Sequence, residues 1–299
     1  MKLGIALPNT LVPDVNRGMF LDWARVADQA GFHSFGTIDR PSQDVWDPLI
    51  ALTAAAAVTE RVRLATTILQ LPNRNEVMVA KQAAVIDRLS GGRLDLGVGL
   101  GWDDNDYKVL GARWPNRGKK LERQIRKIRR IWRAAKKASP EEAATGPAPM
   151  QKPLPPIWIG ANKPRGVARA IEMGDAYLFG AAGAERMIEA APKLRAEAEQ
   201  AGKKKFQLGG LAYVAIGDDP DGALAAAARS YRRYYGAVPD DQLPQRIHAG
   251  PVDVVAQAIK EYEPAGLDVL WLFPEIPDVK QVEMIAESIL PAYRVPSPR

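Results

Sequence analysis

Glu76-Val77-Met78-Val79-Ala80-Lys81-Gln82-Ala83-Ala84-Val85-Ile86-Asp87-Arg88-Leu89-Ser90-Gly91-Gly92-Arg93-Leu94-Asp95-Leu96-Gly97-Val98-Gly99 holds the grammar of the whole chain. Residues 76–89 read as a helix, a glycine pair stops it, and 94–98 read as a short apolar strand. Gly97, Gly99 and Gly101 then alternate through the exit of that strand. Such spacing suits either close approach of a planar ligand to the backbone or a tight bend into a loop.

The same unit recurs on both sides. Residues 3–7 form an apolar strand, and 17–30 set Phe20, Trp23, Ala24, Ala27 and Ala30 on one helical stripe that Gly31 ends. Strands are expected at 32–38 and 62–71, a helix with an alanine-rich inner face at 46–58, and a long basic helix at 117–137. Further strands at 157–160, 176–179, 206–216 and 269–273 alternate with helices at 165–173, 184–201, 223–235, 252–263 and 279–289. Eight strands separated by outer helices predict an α/β fold, a single (β/α)8 TIM barrel over residues 1–299. A proline-rich insertion at 138–156 falls between units four and five. An open doubly wound sheet would show a glycine fingerprint after its first strand, where Pro8-Asn9-Thr10 stands instead.

Composition narrows the chemistry. There is no cysteine, which removes disulfides, thiol nucleophiles and thiolate metal sites, and the two histidines, His33 and His248, have no metal-binding spacing. No metal is expected. His33 begins a strand and so belongs to the non-catalytic end of a barrel. The net charge of +6 gathers at 119–137 and 203–205. With no nucleic-acid motif, it reads as a solvated helix face or a mild attraction for an anionic cofactor or substrate. The first residues resemble a buried strand rather than a secretory signal, and no apolar run approaches membrane length. A cytoplasmic protein with no membrane contact is the expectation.

In order and spacing, six phrases carry a more specific signal. They are Gly4-Ile5-Ala6-Leu7-Pro8-Asn9, Ala27-Asp28-Gln29-Ala30-Gly31-Phe32, Thr59-Glu60-Arg61-Val62-Arg63-Leu64-Ala65-Thr66, the stretch from Ala80 to Gly99, Pro155-Pro156-Ile157-Trp158-Ile159-Gly160, and Glu263-Pro264-Ala265-Gly266-Leu267-Asp268. With these the chain resembles, over nearly its whole length, the bacterial luciferase-like superfamily of flavin- and deazaflavin-dependent oxidoreductases. The resemblance implies FMN or coenzyme F420 with its tricyclic ring over the strand ends and its phosphorylated tail in a polar rim pocket. It also implies a non-prolyl cis peptide around Thr67-Ile68 and a homodimer. Many relatives place an Asp-His pair where this chain has Asp39-Arg40, so no histidine acid–base role is carried over.

The candidate cofactor residues are Asp39, Thr66, Thr67, Ile68, Asn73, Gly99, Gly101, Gly160, Ala161, Gly180 and Ala181. Small residues ahead of helix starts offer backbone N–H groups to a phosphate. The candidate catalytic or substrate-lining residues are Arg40, Trp46, Trp102 and His248. Arg40 suits an anionic substrate or a ring carbonyl, or else an ordinary contact with Asp39. The dull alternatives are strand packing for the threonines, a simple turn at Pro72-Asn73, and helix packing for Tyr231, Tyr234 and Tyr235. The leading expectation is hydride transfer between F420 and a small organic substrate. Alternatives are an FMN-dependent monooxygenase, a non-catalytic barrel that binds a partner, and a non-redox barrel enzyme, for which no acid–base constellation is evident.

Overall fold

The structure is a computed structural model that describes residues 1–11, 13–138, 145–180 and 183–294. Ala181, one of the expected cofactor ligands, lies outside the described residues, as does part of the 138–156 insertion. The strands are β1 (Lys2–Ala6), β2 (Ser34–Thr37), β3 (Arg63–Thr66), β4 (Leu69–Gln70), β5 (Leu94–Gly99), β6 (Ile157–Gly160), β7 (Ala176–Leu178), β8 (Gln207–Ile216), β9 (Ile247–Gly250) and β10 (Val269–Pro274). Around them run α1 (Arg17–Ala30), α2 (Pro48–Ala56), α3 (Glu76–Leu89), α4 (Asn105–Lys108), α5 (Arg117–Lys137), α6 (Pro164–Met173), α7 (Gly183–Gln200), α8 (Pro220–Tyr235), α9 (Val252–Lys260) and α10 (Lys280–Ser288).

All pairings are parallel, and the ring β1-β2-β3-β5-β6-β7-β8-β10 closes through β10 on β1, giving the expected eight-stranded barrel. Side-chain alternation divides the core in two. Outward residues such as Leu3, Ile5, Leu94 and Leu96 pack on the helices, while Trp158, Leu211, Tyr213, Trp271 and Phe273 fill the interior. The Trp158 and Trp271 rings meet edge to face at 5.4 Å. Gly4 and Gly209 leave that volume free, since a Cβ on either would stand 2.5 Å from the Trp271 indole.

Two departures from the sequence reading bear on the site. The strand expected at 62–71 is interrupted at Thr67-Ile68 and ends in a 3-10 turn over Leu71–Asn73. The segment 247–250, not expected as a strand, pairs with the far end of β8 as β9 and extends the sheet past the barrel rim. Because the strands are parallel, the loops at their carboxyl ends gather at one mouth. His33 lies at the opposite end, with Ser34 Oγ 3.1 Å from its Nδ1, and burial reinforced by Lys2 and Arg63 pushes its pKa down to about 4. Among the described residues no helix is long and apolar enough to cross a membrane, and no cluster of three or more His, Asp or Glu could hold a metal.

Candidate active site

The loops after β2 and β5 meet over one edge of the mouth and are tied by a buried cation. Arg40 donates from Nε to Asp106 Oδ2 (2.9 Å), from Nη2 to Asp103 Oδ2 (2.6 Å) and from Nη1 to the Tyr234 carbonyl oxygen. Its guanidinium also lies 4.5 Å from the Trp102 ring centroid. Asp106 is fully buried and accepts further bonds from the Ser42 N–H (3.0 Å), the Ser42 hydroxyl (2.6 Å) and Gln70 Nε2 (2.8 Å). Charges survive burial only when paired and hydrogen-bonded this completely.

Asp39 belongs to a different group. It accepts from the Gln70 N–H (2.9 Å) and from Arg74 Nη2 (2.8 Å), and Arg74 Nη1 continues to Asp47 (2.7 Å). Asp39 and Arg40 therefore do not pair: each is committed to partners from other loops. Arg40 is held inside the loop network rather than presented to a substrate.

The Thr67–Ile68 peptide is cis, where the resemblance placed it. The Thr66 hydroxyl donates to Gly97 O (2.6 Å) and the Thr67 hydroxyl to Thr37 O (3.1 Å), so both protons serve the strand backbone. The Ile68 side chain turns over the barrel mouth, and a Cβ on Gly99 or Gly160 would stand 2.7 Å from it. At Gly101 the backbone takes φ 70°, and a Cβ there would meet Gln70 Oε1 at 2.2 Å. The alternating glycines thus make room for protein atoms, not directly for a ligand.

Solvent reaches the mouth on this side. Ile68, Leu100, Gly101, Gly160, Ala161 and Gly180 are half-buried, and Trp102 is 53% exposed. Beside them Asn73 Nδ2 donates to Gln70 Oε1 (3.0 Å), whereas Asn73 Oδ1 is buried with no donor. A buried acceptor left in this state is costly. The N–H edge of a flavin or deazaflavin ring is a donor of the kind it lacks. Lys163, Arg165 and Arg186 are exposed at and beside the starts of α6 and α7, where helix amino termini favour negative charge.

The other half of the mouth is covered by α8. Ala223, Ala227, Ala228 and Tyr231 continue the interior cluster, and Tyr213 packs edge-on against Tyr231 (5.0 Å) and Tyr235 (5.8 Å). The Tyr213 and Tyr235 hydroxyls lie 2.7 Å apart, and burial raises both phenols well above their ordinary range, keeping them neutral. Tyr235 stacks on Trp102 at 6.3 Å, which binds the end of α8 to the β5 loop.

Glu275 follows β10 directly and is buried, with the Ser230 hydroxyl donating to its Oε2 (2.6 Å). Burial pushes this carboxyl up to about 7, against the smaller opposing effect of the Ser230 bond. A folded pKa above the unfolded value of 4.5 means that its contribution is complete below that pH and lost as pH rises through about 7. Glu275→Gln is expected to remove about 3 kcal/mol of pH-dependent stability change between roughly pH 4 and 8. Urea unfolding across that range checks it, and parallel profiles for the two proteins would refute it.

Two expected site residues lie elsewhere. Trp46 packs on Phe20 of α1 at 5.3 Å, in the helical layer. His248 pairs in register with Val214 and faces the same outer layer, its Nε2 2.9 Å from the Tyr262 hydroxyl, with burial lowering its pKa. Gln70, Asp106, Tyr213 and Glu275 were not singled out from sequence. In the sequence, the acidic residues Asp103, Asp104 and Asp106 after Gly101 read as groups that fix the loop rather than as a paired-carboxylate catalyst.

The family model described as luciferase-like monooxygenase matches residues 1–248. The chain belongs to this family. Among its curated relatives, the oxygenase component of the flavin-dependent trigonelline monooxygenase of Acinetobacter baylyi is 27% identical over 164 residues, 52% of this chain and 46% of the relative. A Mycobacterium tuberculosis protein named for coenzyme F420-dependent oxidoreduction is 31% identical over 169 residues, 51% of this chain and 48% of the relative. The chain thus spans about half the length of the curated relatives it matches. A monooxygenase structure from Streptomyces bottropensis superposes with a TM-score of 0.84 at 23% identity, covering 98% of this chain and 100% of that one. At that identity the likeness is one of fold. The curated relatives are named for both a flavin and coenzyme F420.

Proposed function

We propose that this luciferase-like protein is an oxidoreductase that holds a deazaflavin of the F420 type at the mouth of its barrel and acts on a small organic substrate by hydride transfer. The observation that carries the reading is Ile68, turned over the mouth against Gly99 and Gly160, with the donor-less Asn73 Oδ1 on the Gly101 side, joined to it through Gln70. Ile68, Gly160 and Ala161 would floor the ring, Asn73 would accept from its N–H edge, and Gly180 with Lys163, Arg165 and Arg186 would meet its anionic tail. Bound there, the ring supplies two-electron chemistry that needs no protein nucleophile, in keeping with a chain that lacks cysteine. Trp102 walls the site and excludes water. Arg40, through Asp103 and Asp106, positions Trp102 without touching substrate.

F420 is favoured by the mycobacterial relative at 31% identity. FMN with oxygen is the second reading, favoured by the trigonelline monooxygenase component at 27%. Anaerobic titration with reduced F420 and reduced FMN, followed by absorbance and then exposure to oxygen, separates them. Saturation by reduced F420 is the expected result; saturation by reduced FMN alone would replace it with the second reading, and failure of both would leave a barrel without redox function. Asn73→Ala is expected to weaken the bound ring roughly tenfold, the value of one hydrogen bond of about 1.4 kcal/mol. Unchanged affinity in the same titration would remove Asn73 from the site.

For assembly, the partner proposed is a second copy of this chain. Ala51 and Ala55 of α2 face the core, but Ile50 of α2 and Met78, Val85 and Leu89 of the adjacent α3 are exposed apolar side chains. Sedimentation is expected to show a dimer that Ile50→Glu with Leu89→Glu converts to monomer. A monomeric parent protein would overturn the assignment.

A further inference from the structure

On the side of α8 away from the tyrosines lies a cavity of about 270 Å³. Its wall on α8 is a single helical stripe that includes Arg229, Ser230 and Arg233, at the spacing of one face, while Leu11 and Asp14 come from the loop after β1 and Glu275 from the end of β10. The Nη1 of Arg233 is buried and has no hydrogen-bond partner. A guanidinium nitrogen in that condition is costly unless something accepts from it. Glu275 offers its carboxyl to the same space with a single hydroxyl, from Ser230, bonded to it. The floor of the cofactor reading, Ile68 with Gly160, belongs to the opposite strands of the ring, with α8 covering the half between.

We propose that this cavity is a second binding site, for a small organic carboxylate, with Arg233 and Arg229 pairing the anion and the Glu275 carboxyl O–H donating a hydrogen bond to it. The planar fork of a guanidinium matches a carboxylate, and an uncharged Glu275 supplies the donor that an ionised one could not. The volume lies just below the roughly 300–1,000 Å³ typical of drug-sized ligands, so the occupant is small. Leu11 supplies an apolar wall that a purely inorganic anion would not use.

Ser230, Arg229 and Arg233 on α8 and Asp14 on the loop after β1 share the cavity lining with Glu275, Ser230 bonds it directly, and the phenols of Tyr213, Tyr231 and Tyr235 feel its charge. Burial raises those phenols, and it raises the Glu275 carboxyl to about 7, so that Glu275 changes charge between pH 6 and 8. Carboxylate affinity should then fall about tenfold over that interval, following the protonated fraction of Glu275.

The test uses the full chain with three probes, benzoate, benzamide and inorganic phosphate, read by calorimetric titration and by the shift in melting temperature. Benzoate is expected to bind saturably at pH 6, about tenfold more weakly at pH 8, and at least tenfold more weakly to Arg233→Met. Glu275→Gln is expected to keep a donor and to bind benzoate with no such pH dependence. The Gln variant and Arg233→Lys keep the test decisive if the Met variant does not fold. No saturable benzoate binding, equal binding of neutral benzamide, phosphate bound as tightly as benzoate, or the same pH slope in Glu275→Gln would each overturn the proposal. These readouts require no redox cofactor, so their failure is distinct from failure of the F420 titration.

Discussion

Asp106→Ala is expected to lower stability by about 3–5 kcal/mol, because it leaves the Arg40 guanidinium buried without its principal counter-ion. The same carboxylate holds Ser42 and Gln70, so one truncation releases the β2 loop, the β4 segment and the β5 loop together. For a chain of this size the fall in melting temperature should be roughly 5–15 °C. Asp103 still touches Arg40, but its side chain is partly exposed, and a partly solvated partner compensates a buried cation less well. The double variant Arg40→Met with Asp106→Leu is expected to lose less than Asp106→Ala alone, since it removes the stranded charge as well as the pair. A double-mutant cycle built on Arg40→Met and Asp106→Leu isolates the coupling. Asp106→Ala melting within about 2 °C of the parent would show that Arg40 does not depend on it.

The barrel was legible in the sequence because its signal is local and repeated. Each strand is a short apolar run, each helix carries a stripe, and Gly31 and Gly91 mark where helices stop, so eight units emerge without knowledge of contacts. What the sequence hid depends on partners distant along the chain. Arg40 and Asp106 are 66 residues apart, and nothing local joins them, whereas the adjacency of Asp39 and Arg40 suggested a contact that gives way to Arg74 and Asp106. The glycines at 97, 99 and 101 were visible as close-approach positions, but the approaching atoms are the Thr66 carbonyl, Ile68 and Gln70, which only folding brings there. β9 escaped because Ile247-His248-Ala249-Gly250 is too short and too mixed to show a period, and His248 consequently looked like a rim residue. Glu275 carries no local signal. Its character comes from α8 folding over it, which is a property of packing and not of neighbours in sequence.

Gly97→Ala is expected to be still more disruptive, and the reason lies in strand register. Ala65 pairs with Asp95 and Leu69 with Val98, so four steps along β3 and β4 oppose three along β5. One extra residue must be accommodated between those pairs, as in a bulge. It is accommodated opposite Gly97, where the Thr66 carbonyl oxygen comes so close that a Cβ on Gly97 would stand 1.9 Å from it. That atom is backbone, held also by the Thr66 hydroxyl bond to Gly97 O at 2.6 Å, so no side-chain rotation relieves the overlap. Ordinary overpacking costs about 1–3 kcal/mol, and a contact that forces two strands apart should exceed it. The shift would also carry Ile68 away from Gly99 and Gly160, so any Gly97→Ala protein that folds is expected to bind reduced F420 more than tenfold less tightly. Gly18→Ala is the matched control. It lies in α1, its new Cβ would meet only the Asn16 side chain at 3.3 Å, and alanine is the better helix former by roughly 0.5–1 kcal/mol. Denaturant midpoints and cofactor titrations on the two variants separate a general intolerance of added methyl groups from a specific one at the bulge. Gly97→Ala with the parent's midpoint and the parent's affinity would mean that β3 and β5 do not meet as described, and the floor proposed for the ring would go with them.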